Sequence, residues 1–263
     1  MLTTLMIYLG AGAIAGLIAG LFGLGGGAVM VPVMLFAFTA QGLPETVTMH
    51  MAVGSSLAII VLTSLSSVRA HHRLGGVEWP VFARLVPGIV AGALLGAWGA
   101  GALSSAALQN VFALFLATMS VKMASNASLP AGGHLPGTVG MTTAGGIIGG
   151  LSAVVGIGGG TLTVPFLSWC GMAMRQAVGT SAACGLPIAV AGAAGFMATG
   201  WNHAELPPWT TGYVYWPAVA GLAAASVLTA PHGARLAHRL PARLLKRLFA
   251  ALLALIALRL LLG

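Results

Sequence analysis

The sequence predicts an all-α polytopic integral membrane protein built from two inverted repeats, each a glycine-broken, re-entrant helical hairpin followed by three transmembrane helices. Three observations lead to this prediction: the composition, an internal repeat and the placement of the charged residues. Hydrophobic residues fill 58% of the 263 positions and charged residues only 5%, and the mean hydropathy is +1.00. A soluble domain carries about 25% charged residues, so a chain with so few charges buries its surface in lipid.

The composition also excludes other classes of protein. The apolar runs are long and rich in Ala, Leu and Gly without a two-residue alternation, which favours helices over a transmembrane β-barrel. The net charge of +8 would suggest nucleic-acid binding in a soluble protein. Here the basic residues lie in short clusters between apolar runs, where they act as signals for membrane orientation. The lipid bilayer is therefore an expected partner, and nucleic acid is not.

A glycine motif occurs once in each half of the chain and marks an internal repeat. Gly-Leu-Gly-Gly-Gly at 23–27 is followed after three residues by Val31-Pro32. Gly-Ile-Gly-Gly-Gly at 156–160 is followed after three residues by Val164-Pro165. The two elements share both the glycine positions and the spacing to the Val-Pro pair.

Two further pairs of segments repeat downstream in the same order. Ala-Val-Gly-Ser-Ser at 52–56 matches Ala-Val-Gly-Thr-Ser at 177–181, and the segment 103–112 resembles the segment 240–249. Three matches in one order indicate a duplication rather than chance.

Each half has the same predicted layout. We assign a first transmembrane repeat to 1–125, a cytoplasmic linker rich in Pro, Gly and polar residues to 126–137, and a second transmembrane repeat to 138–263. A long apolar stretch that contains the glycine motif opens each repeat, and three shorter apolar segments follow. These segments are 5–38, 51–67, 81–102 and 108–123 in the first half, and 138–169, 177–199, 212–230 and 245–262 in the second.

The charged residues decide how these spans are oriented. If each long stretch crossed the membrane once, the basic residues would split almost evenly between the two sides, against the positive-inside rule. If each stretch is a hairpin that enters and leaves on one side, every basic residue except Arg259 lies on one side, and Glu45 and Glu205 lie on the other. Each stretch is also too long for a single span of about 20 residues. We therefore predict inverted repeats with a cytoplasmic basic side and both termini outside.

The glycine motifs predict an anion-binding site near the middle of the membrane. Glycine lets the backbone leave the helix and approach a ligand closely, and the helix that begins after the break has N–H groups without intrahelical partners. Such groups hold an anion without a buried arginine, and transporters with inverted repeats pair broken helices in this way. Tight helix packing is the alternative role for glycine. We expect it for the two series spaced every fourth residue, Gly12 to Gly20 and Gly88 to Gly96.

Hydroxyl pairs follow each hairpin and complete the predicted site. Ser55-Ser56 and Thr180-Ser181 either cap the helices that begin there or donate to a ligand. Thr161, directly after the second glycine motif, is a further candidate. The predicted substrate-binding residues are Gly23, Gly25, Gly26, Gly27, Ser55, Ser56, Gly156, Gly158, Gly159, Gly160, Thr161, Thr180 and Ser181.

Other chemistry has little support in the sequence. Glu45, Glu78 and Glu205 all lie in predicted loops, so a carboxylate proton relay within the membrane is not expected. His50, at the edge of a predicted span, is either a proton-carrying group or an interfacial histidine. The sequence has no P-loop, no HExxH and no nucleophile elbow, and its loop histidines lack metal-ligand spacing. We therefore expect no enzyme activity, no metal and no cofactor.

The repeated element, Gly-x-Gly-Gly-Gly with Val-Pro after three residues and Ala-Val-Gly-[Ser/Thr]-Ser downstream, resembles the pattern of the TauE/SafE family of sulfite exporters and sulfonate permeases. The resemblance covers essentially the whole chain and is carried by residues 23–27, 31–32, 156–160 and 164–165. It implies a multi-pass protein of the bacterial cytoplasmic (inner) membrane that transports a small sulfur-containing anion, such as sulfite or an organosulfonate. Members of the family differ in direction, so export and uptake are both compatible with the resemblance.

Three functions are compatible with these observations. The leading hypothesis is a secondary anion transporter, and the alternatives are an anion channel of the same architecture and a membrane assembly factor that transports nothing. Saturable flux coupled to an ion gradient distinguishes a transporter from a channel. An assembly factor gives neither flux nor stabilisation by anions. A homo-oligomer is compatible with each of the three.

Overall fold

The computed structural model describes residues 2–22, 27–125, 133–237 and 242–262 of the chain. These residues form ten helices and one pair of two-residue strands. The helices are α1 Leu2–Phe22, α2 Gly27–Ala40, α3 Glu45–Arg73, α4 Trp79–Gly101, α5 Ser105–Ala124, α6 Thr138–Val155, α7 Gly160–Trp169, α8 Met174–Thr199, α9 Trp216–Ala237 and α10 Ala242–Leu262. The strands β1 Thr210–Thr211 and β2 Val214–Tyr215 form a short antiparallel hairpin between α8 and α9.

Within these ranges, five helices are long and apolar enough to cross a membrane, namely α3, α4, α5, α6 and α8. The predicted class, an all-α polytopic membrane protein, is thereby confirmed. Several helix bounds differ from the predicted apolar segments. The segment 51–67 is only the middle of α3, because the polar residues on both sides of it also form helix. The segment predicted to start at 212 begins instead with the turn between β1 and β2, followed by β2, and α9 starts at Trp216.

The second long apolar stretch is a hairpin that turns back inside the fold. α6 ends at Val155, and Gly156 follows with a left-handed φ of 70°. α7 then returns over only 10 residues, about 15 Å, which is half of the roughly 30 Å hydrocarbon layer. The N–H of Gly133, shortly before α6, donates to the carbonyl of Trp169 at the end of α7 at 3.2 Å. The stretch therefore enters and leaves at the same end of the helix bundle.

The first long apolar stretch has the same form. Tyr8, in the second turn of α1, packs its ring against Phe38 near the end of α2, with the ring centroids 6.1 Å apart. The Tyr8 hydroxyl also donates to Oε1 of Gln41 at 2.9 Å. The start of α1 and the end of α2 therefore lie together, as in a hairpin. Residues 23–26, between the two helices, lie outside the described part of the chain.

The corresponding helices α3 and α8 cross the centre of the fold in opposite directions. A Cβ atom on Gly54 would lie 3.1 Å from the Cβ of Phe196, and one on Gly192 would lie 2.9 Å from Cδ1 of Leu57. A later residue of α3 thus contacts an earlier residue of α8, so the two helices are antiparallel. At the far end, the guanidinium of Arg175, in the first turn of α8, donates to a carbonyl just beyond α3.

The last helices of the two halves, α5 and α10, are also antiparallel. Nε2 of Gln109 donates to the carbonyl of Leu260 at 3.0 Å, and the Ser120 hydroxyl donates to the carbonyl of Ala250 at 2.8 Å. Equivalent helices run antiparallel when two repeats are related by a two-fold axis in the membrane plane. These pairings support the inverted relation of the repeats, which stays a prediction, as do the domain bounds.

Glycine-mediated packing connects the halves where the sequence predicted it. Gly88, Gly92 and Gly96 of α4 face the backbone of α6. A Cβ atom on Gly96 would lie 2.9 Å from the Cα of Gly150. Gly12 and Gly16 of α1 face α9 in the same way. Backbones approach this closely only through glycine, so these five residues have the predicted packing role.

The carboxylate of Glu205 and the guanidinium groups of Arg73 and Arg175 lie at opposite ends of the bundle. The Thr46 hydroxyl at the start of α3 donates to the Glu205 carboxylate in the loop after α8. Arg73 and Arg175 lie at the other end, where α3 finishes and α8 begins. The inverted arrangement predicts this separation.

Candidate functional site

The two glycine motifs meet at the centre of the fold. Gly27 is the first residue of α2 and lies against the tip of the second hairpin. A Cβ atom on Gly27 would lie 2.8 Å from the Cα of Ile157 and 3.1 Å from the carbonyl oxygen of Gly156. The hairpins therefore touch backbone to backbone, as the predicted joint site requires. The predicted residues Gly23, Gly25 and Gly26 lie outside the described residues.

The glycines of the second tip have different surroundings. Gly156 is buried against Val31 and Val53, and Gly159 is buried against α8. A Cβ atom on Gly159 would lie 3.0 Å from the carbonyl oxygen of Ser181, so even a methyl group there would require α8 to shift slightly. Gly158 has space for ordinary contact, and a Cβ atom on Gly160 would have no neighbour within 4 Å. Two of the four glycines are thus fixed by close packing.

The start of α7 presents backbone donors at this tip. The first intrahelical bond runs from the N–H of Thr163 to the carbonyl of Gly159 at 2.8 Å. The N–H groups of the three residues before Thr163 have no partner within the helix, and they lie at its positive end. Thr161, in this first turn, is half-buried. This geometry is suited to an anion.

The four predicted hydroxyls on α3 and α8 lie in the helix interiors, so they cap neither helix. α3 begins at Glu45 after Pro44, and α8 begins at Met174 after Ala173, with no side-chain cap at either N-terminus. The capping interpretation was wrong because both helices begin before the apolar segments from which it was drawn, more than one turn ahead of the hydroxyls. All four hydroxyl-bearing residues are buried: Ser55, Ser56, Thr180 and Ser181.

Two of these hydroxyls make equivalent hydrogen bonds to the opposite half. Oγ of Ser55 accepts the N–H of Tyr215 at 3.0 Å, just before α9. Oγ1 of Thr180 accepts the N–H of Glu78 at 2.9 Å, just before α4. Each hydroxyl uses a lone pair in this bond, so its own proton is not consumed by it.

The other two hydroxyls differ from each other. Ser56 donates to the carbonyl of Gly156 at 2.9 Å, which ties α3 to the second hairpin tip. Ser181, at the equivalent position of α8, has a fully buried Oγ with no hydrogen-bond partner among the described residues. Of the four predicted hydroxyls, only Ser181 is entirely unpaired.

The loops that receive these bonds form a further repeat that the sequence analysis missed. Gly-Gly-Val-Glu-Trp-Pro at 75–80 corresponds to Gly-Tyr-Val-Tyr-Trp-Pro at 212–217. Gly75 and Gly212 have φ values of 64° and 54°, a left-handed conformation that favours glycine. The shared Gly-x-Val-x-Trp-Pro pattern is the signal that identifies these loops as equivalent.

His50 lies on the same helix as Ser55 and is buried rather than interfacial, with 3% of its surface exposed. Nε2 donates to the carbonyl of Ala100 at 3.0 Å, and the ring stacks on Tyr213 with centroids 4.8 Å apart. Burial raises the pKa of the Tyr213 phenol above its ordinary value, which is already well above 7.

Among the residues whose side chains the structure describes, no Asp, Glu, Lys or Arg is buried. Arg259 is exposed and places its guanidinium carbon 4.7 Å from the centroid of the Phe36 ring. The described residues also hold no group of three His, Cys, Asp or Glu side chains arranged for a metal ion. Among the described residues, the polar groups around the second hairpin tip are therefore backbone amides and hydroxyls, which are able to donate hydrogen bonds.

Comparison with known proteins gives one family and three relatives. Residues 8–260 match the model of the family described as Sulfite exporter TauE/SafE. A "Probable membrane transporter protein" of Haemophilus influenzae is 35% identical over 262 residues, 98% of each chain. Proteins of the same description from Methanocaldococcus jannaschii and Bacillus subtilis are each 30% identical, over 65% and 59% of this chain and 64% and 63% of their own lengths. No solved structure matches the chain.

Proposed function

This chain belongs to the TauE/SafE sulfite exporter family of membrane transporters, and we propose that it is a secondary transporter for a small sulfur-containing anion, sulfite or an organosulfonate. The membrane is the cytoplasmic membrane in this proposal. The protein acts by binding and moving the anion and not by catalysis.

The contact between Gly27 and the tip at Gly156 and Ile157 is the observation that carries this proposal. It brings two helix breaks together inside a membrane protein, where backbone that leaves the helix has to be buried or to line a cavity. Paired broken helices are the usual substrate sites of transporters with repeated halves. The free N–H groups at the start of α7 give such a site a preference for anions.

The lack of buried charge among the described residues bears on the charge of the substrate. Amides and hydroxyls stabilise an anion without neutralising it, so each additional negative charge raises the cost of desolvation steeply. A singly charged sulfonate or bisulfite is therefore a better substrate than a dianion such as sulfate. Ser55, Thr180 and Ser181 supply hydroxyl protons on the two helices that flank the tips.

Flux measurements in proteoliposomes test the proposal. We expect uptake of radiolabelled sulfite or a sulfonate that saturates with concentration and is inhibited by the other anion, with little uptake of sulfate. A channel of the same architecture would give flux that does not saturate and follows the electrochemical gradient alone. An assembly factor would give no flux above protein-free liposomes, and either result would contradict the proposal.

A further inference from the structure

Three buried hydroxyls around the second hairpin have no hydrogen-bond partner among the described residues. They belong to Ser152 on α6, Thr163 on α7 and Ser181 on α8, whose exposed fractions are 2%, 0% and 1%. A buried hydroxyl without a partner destabilises the folded state, because it loses its hydrogen bonds to water and gains none in return. Three such groups close to one helix break therefore need an explanation.

Helix geometry places two of these hydroxyls on facing surfaces. Gly159 packs against Ser181 and Gly185 of α8. Thr163 lies one turn after Gly159 on the same face of α7, and Leu167, one turn further, is buried in one cluster with residues of α8. Thr163 and Ser181 thus both lie between α7 and α8, next to the first turn of α7.

The third hydroxyl lies at the other side of the same break. Ser152 is one turn before Gly156 on α6, and its carbonyl accepts the N–H of Ile157 at 3.0 Å, closing the helix at the tip. The three hydroxyls therefore come from the three helices that border the second glycine motif.

The first half shows that the fold does not require hydroxyls at these positions. Aligning the glycine motifs pairs Thr163 with Met30 and Ser152 with Ala19, and Met30 is a buried apolar residue. Ser181 pairs with Ser56, whose proton is used in the bond to the Gly156 carbonyl. Ser152, Thr163 and Ser181 make no such bond among the described residues, so the surroundings of the two hairpins differ in polarity.

We infer that the anion site is asymmetric: Ser152, Thr163 and Ser181 donate to the anion beside the first turn of α7, and the first hairpin contributes an apolar wall. This inference rests on the proposed function and deepens it. Three hydroxyl donors on three helices suit an anion with three terminal oxygens, the chemistry of a sulfonate or of sulfite. The hydroxyl oxygens are sealed from solvent in this conformation, so the anion reaches them when α7 separates from α8, as alternating access requires.

Thr163→Val tests the inference because valine keeps the shape of threonine and removes the hydroxyl. We expect the melting temperature of the purified protein to rise, since an unpaired buried hydroxyl is lost. We expect the Kd for methanesulfonate, measured by calorimetry, to increase at least about tenfold, since a hydrogen bond to the anion is lost as well. Thr163→Ser, which keeps the hydroxyl, should bind with the wild-type Kd, and Ser152→Ala should weaken binding in the same way as Thr163→Val.

Thr48→Val is the matched control. Thr48 is also a buried threonine in a helix, but its hydroxyl donates to the carbonyl of Pro44 at 2.6 Å. Its replacement should lower the melting temperature and leave the Kd unchanged. An unchanged Kd in both Thr163→Val and Ser152→Ala, with normal binding by the wild type, would overturn the inference and leave the proposed function intact. A wild-type protein that binds neither methanesulfonate nor sulfite would instead overturn the proposed function, and the inference with it.

Discussion

Gly27 and Ile157 are in backbone contact across the interface of the two repeats, so close that a Cβ atom on Gly27 would lie 2.8 Å from the Cα of Ile157. Gly160 holds the position of Gly27 in the second repeat, yet a Cβ atom there would have no neighbour within 4 Å. The two hairpin tips therefore have related sequences, but Gly27 is closely packed and Gly160 is not.

Gly27→Ala should destabilise the protein by about 1–3 kcal/mol, because the added methyl group forces two backbones apart. Gly160→Ala is the matched variant, and alanine favours the start of a helix, so its stability should equal the wild type or exceed it by up to about 1 kcal/mol. Thermal unfolding of both variants in detergent measures the difference. Equal melting temperatures for the two variants would contradict the contact between the tips.

Gly159→Val should abolish anion transport while the protein still inserts into the membrane. The first atom of the valine side chain would lie 3.0 Å from the Ser181 carbonyl oxygen and 3.2 Å from the Gly185 nitrogen, so α7 has to move away from α8. Gly99→Val is a suitable control, because Gly99 is exposed on α4 and a Cβ atom there meets nothing within 4 Å. Proteoliposome flux normalised to the amount of inserted protein measures the effect. If Gly159→Val gave the same flux as the wild type, the prediction would be wrong and Gly159 would serve only in helix packing.

Ser55→Ala and Thr180→Val should lower stability by similar amounts, about 1–3 kcal/mol each, because each leaves a backbone N–H before a helix without its acceptor. Thr118 on α5 is exposed and bonds only to its own helix, so Thr118→Val should change stability by less than about 0.5 kcal/mol. Thermal unfolding compares the three variants. A large loss of stability in only one of Ser55→Ala and Thr180→Val would show that the two hydrogen bonds do not stabilise the protein equally.

Cysteine labelling from each side of the membrane tests the inverted repeats. In a background with Cys170 and Cys184 replaced by alanine, Arg73→Cys and Arg247→Cys should react with an impermeant maleimide only from the cytoplasmic side. Trp201→Cys, in the exposed loop after α8, should react only from outside. Labelling of Arg73→Cys and Arg247→Cys from opposite sides would restore a parallel repeat.

Much of the fold follows from length and charge in the sequence. A stretch such as 138–169 is too long for one span, and a hairpin is the form that gathers the basic residues on one side. The ends of α3 are not predicted by length and charge, because the first and last turns of this helix are polar and carry no apolar signal. The strands β1 and β2 are not predicted either, since two-residue strands are too short to show a pattern.

The site was less predictable than the fold, because hydrogen-bond partners far apart in the chain leave no local pattern. Ser56 and Ser181 occupy equivalent positions in the sequence, yet one is bonded to Gly156 and the other is unpaired. Nothing in the sequence distinguishes Thr163 from other threonines in helices. Its lack of a partner is visible only once α7 is packed against α8.

A crystal structure of the protein with bromomethanesulfonate tests the position of the anion site, because the anomalous signal of bromine marks the anion. We predict a single strong site beside the hairpin tips, with sulfonate oxygens within about 3 Å of the Ser181 hydroxyl and of an N–H in the first turn of α7. Bromine found only near Arg259 or the basic loops at the membrane surface, with the hairpin tips empty, would contradict it.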